Sequence, residues 1–187
     1  MNDRLHTSAP LSAKTRHIPD TQSEQDLRHL AIQRVGVRRL RYPLSIEVGG
    51  DVCPTVAEWT LDVALAAEHK GTHMSRFVAW LESLDRPLDA ASLRSELPAM
   101  LDLLHAQEGH IEARFPFFIR KRAPVSGVAS LLEYRGGWAA QQRDGQLSVW
   151  AEAVVPVKSL CPCSKEISDY GAHNQRSEVS LRLELLE

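Results

Sequence analysis

Residues 37–66 read VRRLRYPLSIEVGGDVCPTVAEWTLDVALA and contain two apolar/polar alternations separated by a glycine pair. In the first, Leu40, Tyr42, Leu44, Ile46 and Val48 alternate with Arg39, Arg41, Pro43, Ser45 and Glu47. In the second, Ala57, Trp59, Leu61, Val63 and Leu65 share one face, and Glu58, Thr60 and Asp62 the other. A period of two marks a strand with one buried face, so strands are expected over Val37–Val48 and Thr55–Ala66, broken at Gly49-Gly50-Asp51.

Beyond this hairpin the period changes. Met74, Phe77, Val78, Leu81 and Leu84 recur at helical spacing, and a second helix carries Leu93, Leu97, Met100, Leu101 and Leu104. Pro98 is expected to delay that helix to about Ser95, and Gly109 to cap it. Alternation returns over Ile111–Lys121 and Gly127–Gln142, the latter loosened at Gly136-Gly137, and again over Leu147–Val157 and Val179–Leu185. Strand, strand, helix, helix, strand, strand implies an α+β fold, an antiparallel sheet with helices on one face. Upstream, residues 1–35 read as a polar arm, residues 36–144 as one unit and residues 145–187 as the start of a second, incomplete unit.

The chain has 187 residues, 43% of them hydrophobic, and 22 basic against 24 acidic side chains, for a net charge of -2. Such a balance gives no general pull toward nucleic acid or anionic lipid. Arg34, Arg38, Arg39 and Arg41 form a local basic cluster, but alternation puts Arg39 and Arg41 on a solvated face and aromatics are not interleaved, so no nucleic-acid partner is expected. Apolar runs fall short of the roughly 20 residues that span a bilayer, and no secretory core is present, which points to the cytoplasm with no membrane partner. Three cysteines, two of them separated by a single residue, do not make a disulfide framework. His105 and His110 read as ordinary surface or helix-end residues.

The chemistry concentrates in Lys158–Arg176, KSLCPCSKEISDYGAHNQR. Cys161, Cys163 and His173 offer thiolate and imidazole donors for zinc or a related divalent ion, while Lys158, Lys165, His173 and Arg176 are expected to lower the thiol pKa values. Buried cysteines packed as small hydrophobes are the bland alternative, disfavoured by these charged neighbours. A dithiol redox pair is a second alternative. Another constellation, Glu68-His69-Lys70-Gly71-Thr72-His73-Met74-Ser75-Arg76, sits where a strand hands over to a helix. Helix N-termini suit phosphate, and His69 or His73 could move a proton near neutral pH.

The two segments SLCPCSKEISDYGAHNQRSEV and AEHKGTHMSRF together resemble the bacterial type IB GTP cyclohydrolases. That resemblance implies a tunnelling fold in tandem units, of which this chain would hold one and the opening hairpin of the next. It further implies hydrolytic opening of the GTP imidazole ring, release of formate, and formation of 7,8-dihydroneopterin triphosphate for tetrahydrofolate-type pterins. Cys161 and His173 match the family's metal ligands, for zinc, manganese or iron, and Cys163 its second thiol beside the substrate. His69, Lys70, His73, Ser75, Arg76, Gln175 and Arg176 are the expected contacts to phosphates and purine. A homo-oligomer, a tetramer, is implied too. The alternative within the same family is a chain that binds purine nucleotide or metal without turnover.

Overall fold

A computed structural model describes residues 27–169 and 173–186. Six strands form one sheet in sequence order, β1 (Ile32–Val48), β2 (Asp51–Leu65), β3 (Gly109–Arg122), β4 (Ala129–Arg143), β5 (Gln146–Leu160) and β6 (Asn174–Glu184). All five pairings are antiparallel. Helices α1 (Met74–Glu82) and α2 (Ala90–Leu104) lie between β2 and β3, and a short α3 (Pro162–Ile167) between β5 and β6. The α+β class and the antiparallel sheet are as the sequence implies. The expected arm at residues 1–35 falls mostly outside the described residues, and β1 already begins at Ile32.

One face of the sheet carries the core. Leu44, Ile46, Ala57, Trp59, Leu61, Val63, Ile111, Ala113 and Phe115 from β1–β3 are buried against Phe77, Trp80 and Leu81 of α1 and Leu93, Leu97, Met100, Leu101 and Leu104 of α2. Trp59 and Trp80 meet edge to face, with ring centroids 5.9 Å apart. The buried stripe of α1 is Phe77, Trp80 and Leu81; Met74 and Val78, expected on it, are about a third exposed.

Two boundary expectations are corrected. Helix α2 starts at Ala90, not Ser95, because Asp89 caps it. The Asp89 side chain accepts from the Ser92 N–H at 2.6 Å, and the Ser92 hydroxyl accepts from the Asp89 N–H at 2.9 Å. That reciprocal pair and the burial of Leu93 and Leu97 outweigh the hydrogen bond that Pro98 removes inside the helix. Its end is capped by His105 at φ 54°, not by Gly109. Gly109 opens β3, where an added Cβ would lie 2.7 Å from the Asp62 carbonyl oxygen. Nor does Gly136 loosen β4: the ladder is continuous there, and its missing side chain leaves room for the rings of Phe115 and Phe117.

The opposite face of the sheet is laced with ion pairs. Glu152 accepts from both Arg114 and Arg182 at 3.4 Å, Arg135 pairs with Glu178, and Arg34 with Asp62. At the β6 edge Val179, Leu181 and Leu183 are half exposed.

Candidate metal and anion site

The β5–β6 ladder runs from Trp150↔Glu184 to Leu160↔Asn174, and its next step is Cys161 opposite His173. The Cys161 N–H donates to the His173 carbonyl at 3.3 Å, so register alone brings the two residues face to face. The chain then turns into α3. Cys161 is its N-cap, Pro162 follows with its φ already suited to a helix, and the Lys165 N–H closes the first turn on the Cys161 carbonyl at 3.3 Å.

That turn swings Ser164 back over the mouth of the hairpin. Its Oγ lies 2.5 Å from His173 Nδ1. The Ser164 hydroxyl and N–H, and to a lesser extent the Cys163 N–H and thiol, favour the Cys161 thiolate and hold its pKa below the ordinary thiol value, against an opposing effect of burial. The direction agrees with the sequence expectation, but the cause differs. Hydrogen bonds from Ser164 and Cys163 supply it, not the cations Lys158, Lys165 and Arg176. Cys163 itself is exposed.

Gln175 and Arg176 are not in a loop. They belong to β6, opposite Ser159 and Lys158. Lys158 and Arg176 thus stand directly across from each other, a like-charge pair that is unfavourable unless an anion lies between them.

The other constellation lies elsewhere. Val63 of β2 is level with Gly109, Gly109 with Gln142, and Gln142 with Leu147 at the start of β5. The segment from Ala66 to Arg76 therefore leaves the sheet at the end opposite to Cys161 and His173. The 15 residues of β5 separate them, roughly 45 Å of extended chain. There the His69 N–H turns onto the Ala66 carbonyl at 3.1 Å, Thr72 is buried, and His73 is the N-cap of α1 without a side-chain capping bond. Arg76 donates from Nη1 to the Leu103 carbonyl at 3.1 Å, satisfying the C-terminal end of α2. One chain therefore groups Cys161, Cys163, His173, Gln175 and Arg176, and separately His69, Lys70, His73, Ser75 and Arg76.

Ser164 escaped the sequence reading, although a cysteine followed by proline and, three residues on, serine is the spacing of a helix start with a side chain folding back. His110 was misread as a surface residue. It lies in β3 with its side chain 15% exposed, beside the buried Asp62 and the Arg34 guanidinium. A concavity of about 550 Å³ lined by Leu101, Asp102, Glu108, Gln142 and Asp144 contains none of the expected site residues. Among the described residues no group of three or more His, Cys, Asp and Glu could hold a metal ion. Also among the described residues, no helix is long and apolar enough to cross a membrane.

The family model described as type I GTP cyclohydrolase folE2 matches residues 18–187. The chain belongs to that family. A protein named GTP cyclohydrolase FolE2 from Methylibium petroleiphilum is 68% identical over 185 residues, which cover 97% of this chain and 62% of that relative. Proteins of the same name from Paraburkholderia xenovorans and Cupriavidus necator are 54% and 52% identical over 169 and 168 residues, each match covering 90% of this chain and 63% of the relative. The chain thus spans under two thirds of the length of these FolE2 relatives.

Proposed function

We propose that this chain is a metal-dependent GTP cyclohydrolase of the type IB, tunnelling-fold kind. It opens the imidazole ring of GTP hydrolytically, releasing carbon 8 as formate and leading to 7,8-dihydroneopterin triphosphate, the first step toward tetrahydrofolate-type pterins. The reading places it in the cytoplasm as a homo-oligomer. It rests above all on one observation, the Cys161–His173 apposition fixed by the β5–β6 register.

The donors suit the cation. A thiolate and a neutral imidazole are ligands for zinc, manganese or iron, with zinc and iron the better match to sulfur. A divalent ion held there supplies a Lewis acid that brings the pKa of water toward neutrality. The remaining roles belong to the chain's own groups. Cys163, on the exposed side of the same turn, positions the purine. Lys158 and Arg176 hold an anionic group between them, and Gln175 offers an amide to the base. His69 or His73 carries the proton transfers of ring opening, with Lys70, Ser75, Arg76 and the N-terminal amides of α1 on the triphosphate.

The separation of the two constellations along β5 favours a site shared between copies. One subunit's hairpin mouth would face the Ala66–Arg76 segment of another, which makes association a condition of activity. The direct test is incubation of the purified protein with GTP, with formate and the fluorescence of the oxidised pterin as readouts. Turnover that disappears with EDTA and returns with added metal supports the reading. GTP binding with no formate under every metal supports the non-catalytic alternative.

A further inference from the structure

At the end of the sheet that carries Cys161 and His173, the six strands part into three two-stranded ribbons. The β2–β3 ladder stops at Glu58↔Arg114 and the β4–β5 ladder at Arg135↔Val154, whereas β1–β2, β3–β4 and β5–β6 pair on to Val48↔Asp51, Arg122↔Ala129 and Leu160↔Asn174. A proline stands two residues beyond each break, Pro116 in β3 and Pro156 in β5. The Thr55 hydroxyl donates to the Pro116 carbonyl at 2.8 Å, so the backbone of that residue faces β2 and its missing N–H falls where the ladder would have gone on. Residues 118–131 of the β3–β4 ribbon are exposed.

Alternation sorts the cations of this ribbon. Lys121 lies on the helix side, its Nζ 5.3 Å from the centre of the Tyr134 ring, so Arg120 and Arg122 face the helix-free side. Lys158 and Arg176 lie on that side too, in step with Glu152 and Arg182. Carrying the register on past Arg135↔Val154 sets Leu131 level with Lys158, and Leu131 pairs with Arg120. Arg120, Leu131, Lys158 and Arg176 therefore form one row across four strands, with Arg122 two residues nearer the ribbon tip. Elsewhere on this face of β3–β6 the cations are matched, Arg114 and Arg182 with Glu152 and Arg135 with Glu178. Among the described residues Arg120, Arg122, Lys158 and Arg176 have no ion pair; Arg122 donates only to the Gly127 carbonyl, at 3.4 Å. The next row down holds Glu133 and Glu178, the latter already taken by Arg135.

We propose that Arg120 and Arg122 are binding residues for a nucleoside triphosphate, which they hold by its phosphates together with Lys158 and Arg176 in a groove between the β3–β4 and β5–β6 ribbons. The inference deepens the reading above and rests on it in taking a nucleotide as the guest. It adds phosphate contacts from the copy that carries Cys161 and His173 to those placed on the Ala66–Arg76 segment. Unmatched like charges in one row are unfavourable unless an anion lies among them, and a guanidinium fork fits phosphate oxygens two at a time. With strands about 4.8 Å apart, Arg120 and Lys158 start roughly 10 Å from each other, a gap that two long side chains and a polyphosphate fill. The apolar Leu131 between them offers no competing charge.

Titration calorimetry of the purified protein in EDTA, with GTP, guanosine and inorganic tripolyphosphate as probes, tests this apart from turnover. The wild type should bind GTP and tripolyphosphate in competition. Arg120→Ala and Arg122→Ala should each weaken both by about 10-fold, leave guanosine binding unchanged, and lose less as Arg120→Lys and Arg122→Lys. Tripolyphosphate bound equally by wild type and the double alanine variant would overturn the proposal, as would GTP that tripolyphosphate cannot displace from the wild type, a readout that needs no variant to fold. A single-stranded oligonucleotide that binds more tightly than GTP and is lost in the same variants would overturn it too, by making the ribbon a nucleic-acid contact. GTP held through the two arginines but yielding no formate with any metal supports this site and removes the catalytic reading alone.

Discussion

Arg34 holds Asp62 in a two-pronged ion pair across β1 and β2, Nε to Oδ1 at 2.9 Å and Nη2 to Oδ2 at 2.5 Å, on the sheet face away from the helices. Asp62 is buried among the strands, with its side chain 9% exposed, whereas Arg34 reaches it from solvent at 62%. Burial would raise the Asp62 pKa, but hydrogen bonds from His110 and Arg34 outweigh it and hold the carboxyl below its ordinary 3.8. The His110 Nδ1 sits 3.2 Å from the Arg34 guanidinium and 3.5 Å from Asp62. A guanidinium only donates, so His110 Nδ1 accepts from Arg34 in the tautomer that leaves it without a proton and donates to Asp62 in the tautomer that gives it one.

A carboxylate whose folded pKa is depressed stabilises the fold above its unfolded pKa, and that contribution drains away as pH falls through the folded value. Asp62→Asn is therefore expected to cost about 1–3 kcal/mol at pH 7. The difference from wild type should shrink below pH 3.8. Urea denaturation at pH 7 and at pH 3 checks this; an equal deficit at both pH values would contradict it.

Helix α2 offers a pair of opposing changes. Asp89→Ala removes one half of the capping box and should destabilise by about 1 kcal/mol. Pro98→Ala restores a backbone donor inside the helix and should stabilise by about 1–3 kcal/mol. Thermal melts of the two variants should move in opposite directions from wild type.

A site assembled from two copies makes inactive variants complement one another. Cys161→Ala and Lys70→Ala, each with little turnover alone, should recover about a quarter of wild-type formate release when mixed and reassociated as random pairs. No recovery, with mixed oligomers demonstrated by mass, would place both segments in one copy's site.

At the hairpin mouth, Lys158→Ala or Arg176→Ala leaves the opposite cation without its like-charged neighbour. Either change should raise the KM for GTP by roughly 10-fold while leaving folding stability unchanged or slightly improved. A variant with unaltered KM would remove that residue from the anion contacts.

The sheet was legible in the sequence because its strands bury one face only. The face Ala57, Trp59, Leu61, Val63, Leu65 is buried throughout. Strand ends were less legible, since the last residues of β5 and the first of β6 are exposed on both faces and carry no alternation. A bulge was missed as well. Val37 pairs with Leu61 but Leu40 with Trp59, so β1 carries an extra residue near Arg39, which sits at φ 58°. Its trace in the sequence is the change of parity from Val35 and Val37 to Leu40 and Tyr42. In the candidate site the donor types could be read from composition, and Cys161 and His173 from resemblance. Their apposition, and the contact of Ser164 with His173, depend on the register of a hairpin interrupted by a short helix, which local sequence does not encode.

X-ray absorption at the zinc edge tests most directly whether Cys161 and His173 share one cation. The wild-type protein should show a sulfur scatterer near 2.3 Å and nitrogen near 2.0 Å, the sulfur vanishing in Cys161→Ala and the imidazole signature weakening in His173→Ala. A sulfur shell that survives Cys161→Ala, or spectra unchanged in both variants, would contradict the account.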